Sequence, residues 1–147
     1  MRDNHCDNEN DGHLVLIADD DTDIRDLVTF RLEQSGYRTM TARDGEEALA
    51  LIRQRRPDVC VLDVRMPKIN GLEVLSAMRE DKRTSSIPVL ILTAAIQDRD
   101  VAAASTAGAD SYLRKPFRLS QLTDGVAAAM KRASGEQVET PRNPAAG

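Results

Sequence analysis

Short apolar runs alternate with stretches of helical periodicity along this chain, and that alternation constrains the fold more than any other feature. Three of the runs are strongly apolar and two are weaker. The runs cover residues 13–18, 37–42, 59–63, 88–93 and 109–113. Runs of this length without polar alternation are typical of strands that are buried on both faces.

The first segment between the runs carries apolar residues at helical spacing. We expect one buried helix face, followed by Gly36 as a C-terminal cap. That predicted face consists of Ile24, Leu27, Val28 and Leu32.

Similar patterns predict four further helices. Asp44 and Glu47 resemble a capping box that opens the second helix, and Pro57 follows its end. The fourth, near residues 98–107, is rich in alanine and has little to bury, so we expect it to dock weakly. The apolar residues that mark the second, third and fifth helices are Ala48, Leu49, Ile52, Leu72, Leu75, Met78, Leu119, Leu122, Val126 and Met130.

Five strands, each followed by a helix, predict an α/β fold. The sheet should be parallel, with right-handed crossovers and helices on both faces. Because the chain has no Trp and few aromatic residues, we expect an aliphatic core. In such sheets the functional groups gather at the carboxyl ends of the strands.

The net charge of -4 lies in the two ends of the chain. Residues 1–12 carry one basic and four acidic residues, and residues 134–147 carry one basic and two acidic residues. Both ends are polar, so we predict a disordered acidic N-terminal tail, a domain over 13–133 and a flexible C-terminal tail.

Composition excludes several classes of protein. A pI of about 5.2 disfavours broad nucleic-acid binding by charge. An apolar run of about 20 residues, which a membrane helix needs, is absent from the sequence, and the first residues do not resemble a secretory signal. Cys6 and Cys60 lie in very different settings, so we expect no disulfide and a cytoplasmic location.

The predicted strand ends carry side chains that could act together. They are Asp19, Asp20 and Asp21 after the first strand, Asp63 at the third, Thr93 at the fourth and Lys115 after the fifth. Clustered carboxylates repel unless a cation relieves them, and Mg²⁺ prefers such oxygen ligands. One carboxylate could then form an aspartyl phosphate, with a hydroxyl and an ammonium stabilising the phosphoryl oxygens.

Each of these residues also has a plainer interpretation. The aspartates could form a solvated loop with a helix cap at Asp21 or Thr22. Thr93 could simply end a strand, and Lys115 could be a surface charge. The chemical interpretation is favoured because all of them fall at strand ends together.

The sequence resembles the response-regulator receiver domain of two-component signalling, in particular the stand-alone, chemotaxis-regulator-like receivers. The resemblance covers about residues 13–133. The matching segments are LVLIADDDTDIRDLV, PDVCVLDVRMPKINGLEVL, IPVLILTA and GADSYLRKPF. It implies a flavodoxin-like, doubly wound (βα)5 fold with strand order 2-1-3-4-5.

The resemblance also implies a role for each site residue. Asp63 would be the phosphoacceptor and one of the ligands of Mg²⁺. The other metal ligands would be Asp20 directly, Asp19 through water and Arg65 by its backbone carbonyl. Thr93 and Lys115 would contact the phosphoryl group, Thr93 and Tyr112 would form the switch, and Pro116 would follow a cis peptide bond.

The implied function is a bacterial, cytoplasmic phosphorelay switch. A sensor histidine kinase or histidine phosphotransfer protein would be the donor. A downstream protein would bind the face made by the fourth helix, fifth strand and fifth helix. The receiver would catalyse only its own phosphotransfer and dephosphorylation, and we expect no contact with nucleic acid or membrane. It would be a monomer or a weak, phosphorylation-dependent dimer.

Three alternatives and several departures accompany this interpretation. A hydrolase of haloacid-dehalogenase type would need an acid at the position of Arg65, which disfavours it. A binding module independent of phosphorylation would usually lose one site residue. A fragment of a longer regulator is the third alternative, although the short C-terminal tail favours a stand-alone receiver. Gln121 and Gly125 depart from the pattern of one receiver dimer, and Arg65 and Ala95 could alter phosphoryl lifetime.

Overall fold

The computed structural model describes residues 12–94 and 108–133. The two predicted tails, apart from Gly12, lie outside these residues, as do the predicted fourth helix and Ala95. The strands are β1 (Leu14–Ala18), β2 (Arg38–Ala42), β3 (Val59–Asp63), β4 (Val89–Thr93) and β5 (Ser111–Arg114). The helices are α1 (Thr22–Gln34), α2 (Gly45–Arg55), α3 (Gly71–Glu80) and the C-terminal helix (Leu119–Ala133).

The five strands form one parallel sheet in the order β2-β1-β3-β4-β5, which confirms the predicted topology. Each neighbouring pair is parallel, and Val15 of β1 lies level with Thr39 of β2 and Val59 of β3. All residues of β1, β3 and β4 are buried, whereas the edge strands β2 and β5 are partly exposed. The central strands therefore have the two covered faces that their unbroken apolar runs predict.

Aliphatic cores fill both faces of the sheet. On one face, α1 and the C-terminal helix bury residues such as Val28 and Val126 against the sheet. On the other face, α2 and α3 bury residues such as Ile52 and Leu75. No helix in the described ranges is both long enough and apolar enough to cross a membrane.

Local signals explain how α1 begins and ends. The Asp21 side chain accepts hydrogen bonds from the N–H groups of Asp23 and Ile24, so Asp21 is the N-cap of α1. At the other end Gly36 has a φ of 99°, a left-handed conformation that glycine adopts without strain. The N–H of Tyr37 donates to the carbonyl of Leu32, as in a Schellman motif.

Two details of the predicted helices were wrong. Leu27, predicted to be buried, is 48% exposed. The sheet packs against the helix face that carries Ile24, Val28 and Leu32. Leu27 lies about 100° around the helix from Val28 and so falls outside that face.

The expected capping box of α2 is incomplete. The Asp44 side chain accepts the N–H of Glu47, but the Glu47 carboxylate accepts the N–H of Arg43 rather than that of Asp44. The Arg43 guanidinium lies 3.8 Å from the same carboxylate oxygen, and this attraction favours the longer reach. A complete capping box joins Asn70 and Glu73 at the start of α3.

Candidate functional site

Three predicted carboxylates meet at the carboxyl ends of β1 and β3. Asp19 and Asp20 follow β1, Asp63 is the last residue of β3, and the two strands are neighbours in the sheet. One oxygen atom from each carboxylate lies within 4.8 Å of the others. Parallel pairing therefore brings together residues that are far apart in the sequence.

Lys115, in the loop after β5, completes this cluster at the same edge of the sheet. Its Nζ lies 3.2 Å from Asp19 Oδ2 and 3.3 Å from Asp63 Oδ1. The backbone N–H of Lys115 donates to the backbone carbonyl of Thr93 at 2.7 Å. The peptide bond between Lys115 and Pro116 is cis. The loop after β5 is thus tied to the end of β4.

Burial and charge together set the electrostatics of the cluster. Asp19 is fully buried and Asp63 is 5% exposed. Burial, together with the negative charge of Asp19, raises the pKa of Asp63 to about 6, although Lys115 opposes the shift. Burial alone would lower the pKa of Lys115, but attraction from Asp63 and Asp19 outweighs it and raises that pKa.

Close backbone packing holds the loop that follows β3. The N–H of Gly71 donates to the carbonyl of Val64 at 2.9 Å. A Cβ at Gly71 would lie 2.3 Å from the backbone carbonyl oxygen of Asp63, so only glycine lets α3 begin here. The start of α3 is therefore packed directly against the backbone of the central carboxylate residue.

The same loop also rests on the start of α2. Lys68 has a φ of 71°, and its Nζ lies 3.7 Å from Asp44 Oδ2 and 3.7 Å from Glu46 Oε1. A Cβ at Gly45 would lie 1.8 Å from the carbonyl oxygen of Ile69. The loop is thus fixed by close contacts with two helices.

Arg25 is a site residue that the sequence reasoning did not predict. Its Nη1 donates to the backbone carbonyl of Asp19 at 2.8 Å. An arginine in the first turns of an amphipathic helix looks like an ordinary surface charge. A run of three aspartates just before the helix was the one available signal.

The remaining predicted residues lie around the cluster. Thr93 ends β4 and is 6% exposed, whereas Tyr112 on β5 is 48% exposed. Arg65 is an exposed residue of the loop after β3. Asp21 caps α1 and accepts hydrogen bonds there.

The donor set suits a hard divalent cation. Three converging carboxylates supply oxygen ligands of the kind that Mg²⁺ prefers, and two of them are nearly or fully buried. A single ammonium leaves the cluster with an excess of negative charge. The site can therefore attract a cation while the Asp19 and Asp63 carboxylates stay beside the Lys115 ammonium.

Comparisons with known proteins agree with this geometry. The family model of the response regulator receiver domain matches residues 15–127. The DNA-binding dual master transcriptional regulator RpaA of Synechocystis is 43% identical over 118 residues, covering 80% of this chain and 49% of RpaA. The alkaline phosphatase synthesis transcriptional regulatory protein PhoP of Bacillus subtilis is 40% identical over 119 residues, covering 81% of this chain and 49% of PhoP.

Solved structures are similar over nearly their full length. A response regulator from Chloroflexus aurantiacus has a TM-score of 0.79 at 35% identity, covering 82% of this chain and 99% of that one. The chemotaxis protein CheY4 of Vibrio cholerae has a TM-score of 0.76 at 34% identity, covering 80% and 98%. In contrast, the chain spans about half the length of the curated relatives described above.

Proposed function

The chain belongs to the response-regulator receiver family of two-component signalling, and on that premise we propose that it accepts a phosphoryl group on Asp63. The donor is the phosphohistidine of a sensor histidine kinase or of a histidine phosphotransfer protein. The observation that carries the proposal is the buried Asp63 carboxylate, which lies in one cluster with Asp19 and Asp20 and pairs with Lys115.

The chemistry follows from the placement of these groups. A pKa of about 6 leaves the Asp63 carboxylate largely ionised at neutral pH, so one of its oxygens can attack phosphorus. The new O–P bond replaces the P–N bond of the donor, and the imidazole leaves. The Lys115 ammonium, 3.3 Å from Asp63 Oδ1, is close enough to stabilise the transferred oxygens, and the Thr93 hydroxyl donates to them.

Mg²⁺ is the cofactor that we assign to the carboxylate cluster. Asp20 and Asp63 would hold it directly, with the backbone carbonyl of Arg65, and Asp19 would hold it through water. When bound, it neutralises charge that would otherwise repel the phosphoryl group from three carboxylates. Asp19 also keeps Lys115 oriented toward Asp63 through its own ion pair.

Phosphorylation would act as a switch of partner binding. The added charge, about -1.5 to -2, attracts Thr93 and Lys115 and shifts an existing conformational equilibrium. Tyr112, exposed on β5, would turn inward as Thr93 moves, and so change the face formed by the predicted fourth helix, β5 and the C-terminal helix.

We infer a signalling protein that turns over no external substrate. Water would remove the phosphoryl group and reset the switch. RpaA is described as DNA-binding, but this chain matches only about half of it, and we assign to the receiver itself protein partners in the cytoplasm rather than nucleic acid.

Acetyl phosphate or beryllofluoride tests the proposal directly. Wild-type protein should gain a single phosphoryl group that is labile to alkali and hydroxylamine, or a beryllofluoride-dependent change in its NMR spectrum, only when Mg²⁺ is present. Asp63→Asn should abolish the response, whereas Asp26→Asn, which alters an exposed aspartate of α1, should retain it. A response that survives in Asp63→Asn would assign the acceptor elsewhere, and the absence of any response would favour a binding module independent of phosphorylation.

A further inference from the structure

We propose that Arg25 is a positioning residue that holds the metal-binding loop between β1 and α1 in its ligating conformation. The loop, called here the acidic loop, comprises Asp19, Asp20 and Asp21. This inference rests on the proposed function, because it concerns the Mg²⁺ site assigned above.

The side chain of Arg25 bridges the acidic loop and α1. Its Nη1 donates to the Asp19 carbonyl at 2.8 Å, and its Nη2 donates to Thr22 Oγ1 at 3.4 Å. The backbone N–H of Arg25 donates to the carbonyl of Asp21 at 2.9 Å. The guanidinium is thus fixed to a rigid helix and reaches back to the peptide group that joins Asp19 to Asp20.

Other groups hold the rest of Asp19. Its N–H donates to the carbonyl of Ala42 at 3.2 Å, and its Oδ1 accepts the N–H of Asp21 at 2.9 Å. Its Oδ2 accepts from Lys115 at 3.2 Å. In the described part of the chain, the carbonyl is the part of Asp19 that depends on Arg25.

The orientation of the Asp19 carbonyl sets the orientation of the backbone at Asp20. A peptide group is planar, so fixing the oxygen of Asp19 also fixes the amide nitrogen and the direction of the chain at Asp20. Asp20 is exposed, in contrast to the fully buried Asp19. The direct ligand is therefore oriented mainly by its backbone, and Arg25 sets that backbone.

A positioning role and a purely electrostatic role of Arg25 predict changes of opposite sign in the affinity for Mg²⁺. A guanidinium near three carboxylates repels Mg²⁺, so removing it should tighten binding if only its charge matters. If Arg25 positions the acidic loop, its removal should weaken binding, since groups that orient metal ligands typically contribute about 10-fold or more to affinity. The sign of the change separates the two roles.

The experiment compares Arg25→Met and Arg25→Lys with a matched control, Arg43→Met. Arg43 is an exposed cation that follows β2 at the same edge of the sheet, and its side chain pairs with Glu47. Titration calorimetry should give Arg25→Met about 10-fold weaker Mg²⁺ binding. Arg25→Lys, which keeps a donor, should recover part of the loss, and Arg43→Met should bind Mg²⁺ as tightly as wild type or more tightly.

Two further readouts separate positioning from a general loss of structure. Amide hydrogen exchange at Asp20 and Asp21, measured without Mg²⁺, should speed up in Arg25→Met while amides of β3 keep their protection. The Mg²⁺ concentration needed for half-maximal phosphorylation by acetyl phosphate should rise in Arg25→Met and stay unchanged in Arg43→Met.

Equal or tighter Mg²⁺ binding by Arg25→Met, in a wild-type background that binds Mg²⁺, would overturn the positioning role and leave the proposed function intact. Loss of protection throughout the sheet in both Arg25 variants would also overturn it, because Arg25 would then stabilise the whole fold. If wild-type protein neither binds Mg²⁺ nor accepts a phosphoryl group, the proposed function fails and the role of Arg25 fails with it.

Discussion

The surroundings of the Asp63 carboxylate favour its protonated form more than water does, although the group is still mostly ionised at pH 7. Burial and Asp19 raise its pKa from 3.8 to about 6, so without Mg²⁺ the folded protein holds a proton more tightly than the unfolded chain does. We expect Asp63→Asn to raise the free energy of unfolding by about 2 kcal/mol at pH 7 in the presence of a chelator. Urea denaturation of both proteins measures the difference.

The pH dependence of this difference has a definite sign. Because the folded-state pKa is raised, the contribution of Asp63 to stability is present below about pH 4 and is lost as the pH rises through about 6. The advantage of Asp63→Asn should therefore be small at low pH and constant above neutrality. If the difference in the free energy of unfolding between Asp63→Asn and wild type grew toward acid pH, the fold would stabilise the ionised carboxylate instead of destabilising it.

Tyr37 presents a similar penalty away from the site. It is buried, and its hydroxyl has no hydrogen-bond partner among the described residues. Since an unpaired buried hydroxyl is costly, Tyr37→Phe should raise the free energy of unfolding by about 1 kcal/mol, measured by urea denaturation at neutral pH. Tyr112→Phe, which alters an exposed hydroxyl on β5, is the control and should change little.

Alkaline pH should enlarge the effect of Tyr37→Phe. Burial raises the pKa of Tyr37 from 10.0 to about 12, so the folded state keeps the hydroxyl protonated at pH values where the unfolded chain ionises. The stability of the wild-type fold is therefore unaffected by this residue's ionisation below about pH 10 and falls as the pH rises toward 12. Wild-type protein should therefore lose stability relative to the variant as the pH rises through that interval. Parallel curves would show that the hydroxyl is hydrated in solution.

Single residues also mark the limit of what the sequence predicts. Because strand ends can be identified from apolar runs, the sequence predicts one shared edge for Asp19, Asp63 and Lys115, and the structure places them together. Arg25 and Lys68 could not be found in this way. Their roles depend on where a long side chain ends, and neither periodicity nor spacing determines that.

Glycines at helix starts connect the packing of elements to the site. We expect Gly71→Ala to destabilise the protein by about 2 kcal/mol, because its Cβ would overlap the backbone carbonyl of Asp63 and force α3 away. Phosphorylation by acetyl phosphate should slow as well. Thermal unfolding and phosphorylation rates check both effects.

Gly125→Ala is the matched control in the C-terminal helix. Its Cβ would lie 3.3 Å from the methyl groups of Leu90, which are the ends of a flexible side chain, and alanine favours a helix by about 1 kcal/mol. A small net change is therefore expected. Equal losses in both variants would contradict the view that backbone contact at Asp63 is what makes Gly71 necessary.

Arg79 links the end of α3 to the loops that enter β4 and β5. Its guanidinium donates to the backbone carbonyls of Ser85, Ile87 and Gly108 and to the carboxylate of Asp110. Removing it would take a donor from each of these groups, and the half-buried Asp110 would lose a charged partner while still accepting the N–H of Val89. We expect Arg79→Met to lower the free energy of unfolding by about 3 kcal/mol in denaturant titrations.

The control for Arg79 is another arginine near the same helix end. Arg83 pairs with Asp81 at 3.1 Å, but its side chain is well exposed, so Arg83→Met should have little effect. Comparable losses in both variants would show that net charge, rather than the hydrogen bonds of Arg79, is responsible.

Whole elements were predicted better than their details. Each strand lies within two residues of its apolar run, because the burial of β1, β3 and β4 is a property of the whole run. Each described helix contains the periodic apolar residues that predicted it. Leu27 was wrong because periodicity gives the direction of a helix face but not its width. The capping box at Asn70 was missed because helix starts depend on side-chain geometry as well as residue type.

Across the whole domain, a cation at the carboxylate cluster should add to stability by mass action. At a Mg²⁺ concentration of 100 times the Kd, the free energy of unfolding should rise by about 2.7 kcal/mol, since binding requires the folded state. Thermal unfolding with and without Mg²⁺ measures this. Asp20→Asn should lose most of the increase, whereas Asp26→Asn should keep it. An identical increase in Asp20→Asn would place the bound cation elsewhere.

The order of the strands also means that the site assembles only after four of them have paired. Asp19 and Lys115 are separated by 96 positions, and they meet only when β1, β3, β4 and β5 lie side by side. Contacts of such long range form late, because loop closure must precede them. A nascent chain that has not yet released β5 from the ribosome carries Asp63 without its ammonium partner. An unfinished or partly unfolded copy would therefore lack the assembled cluster on which the proposed phosphorylation depends.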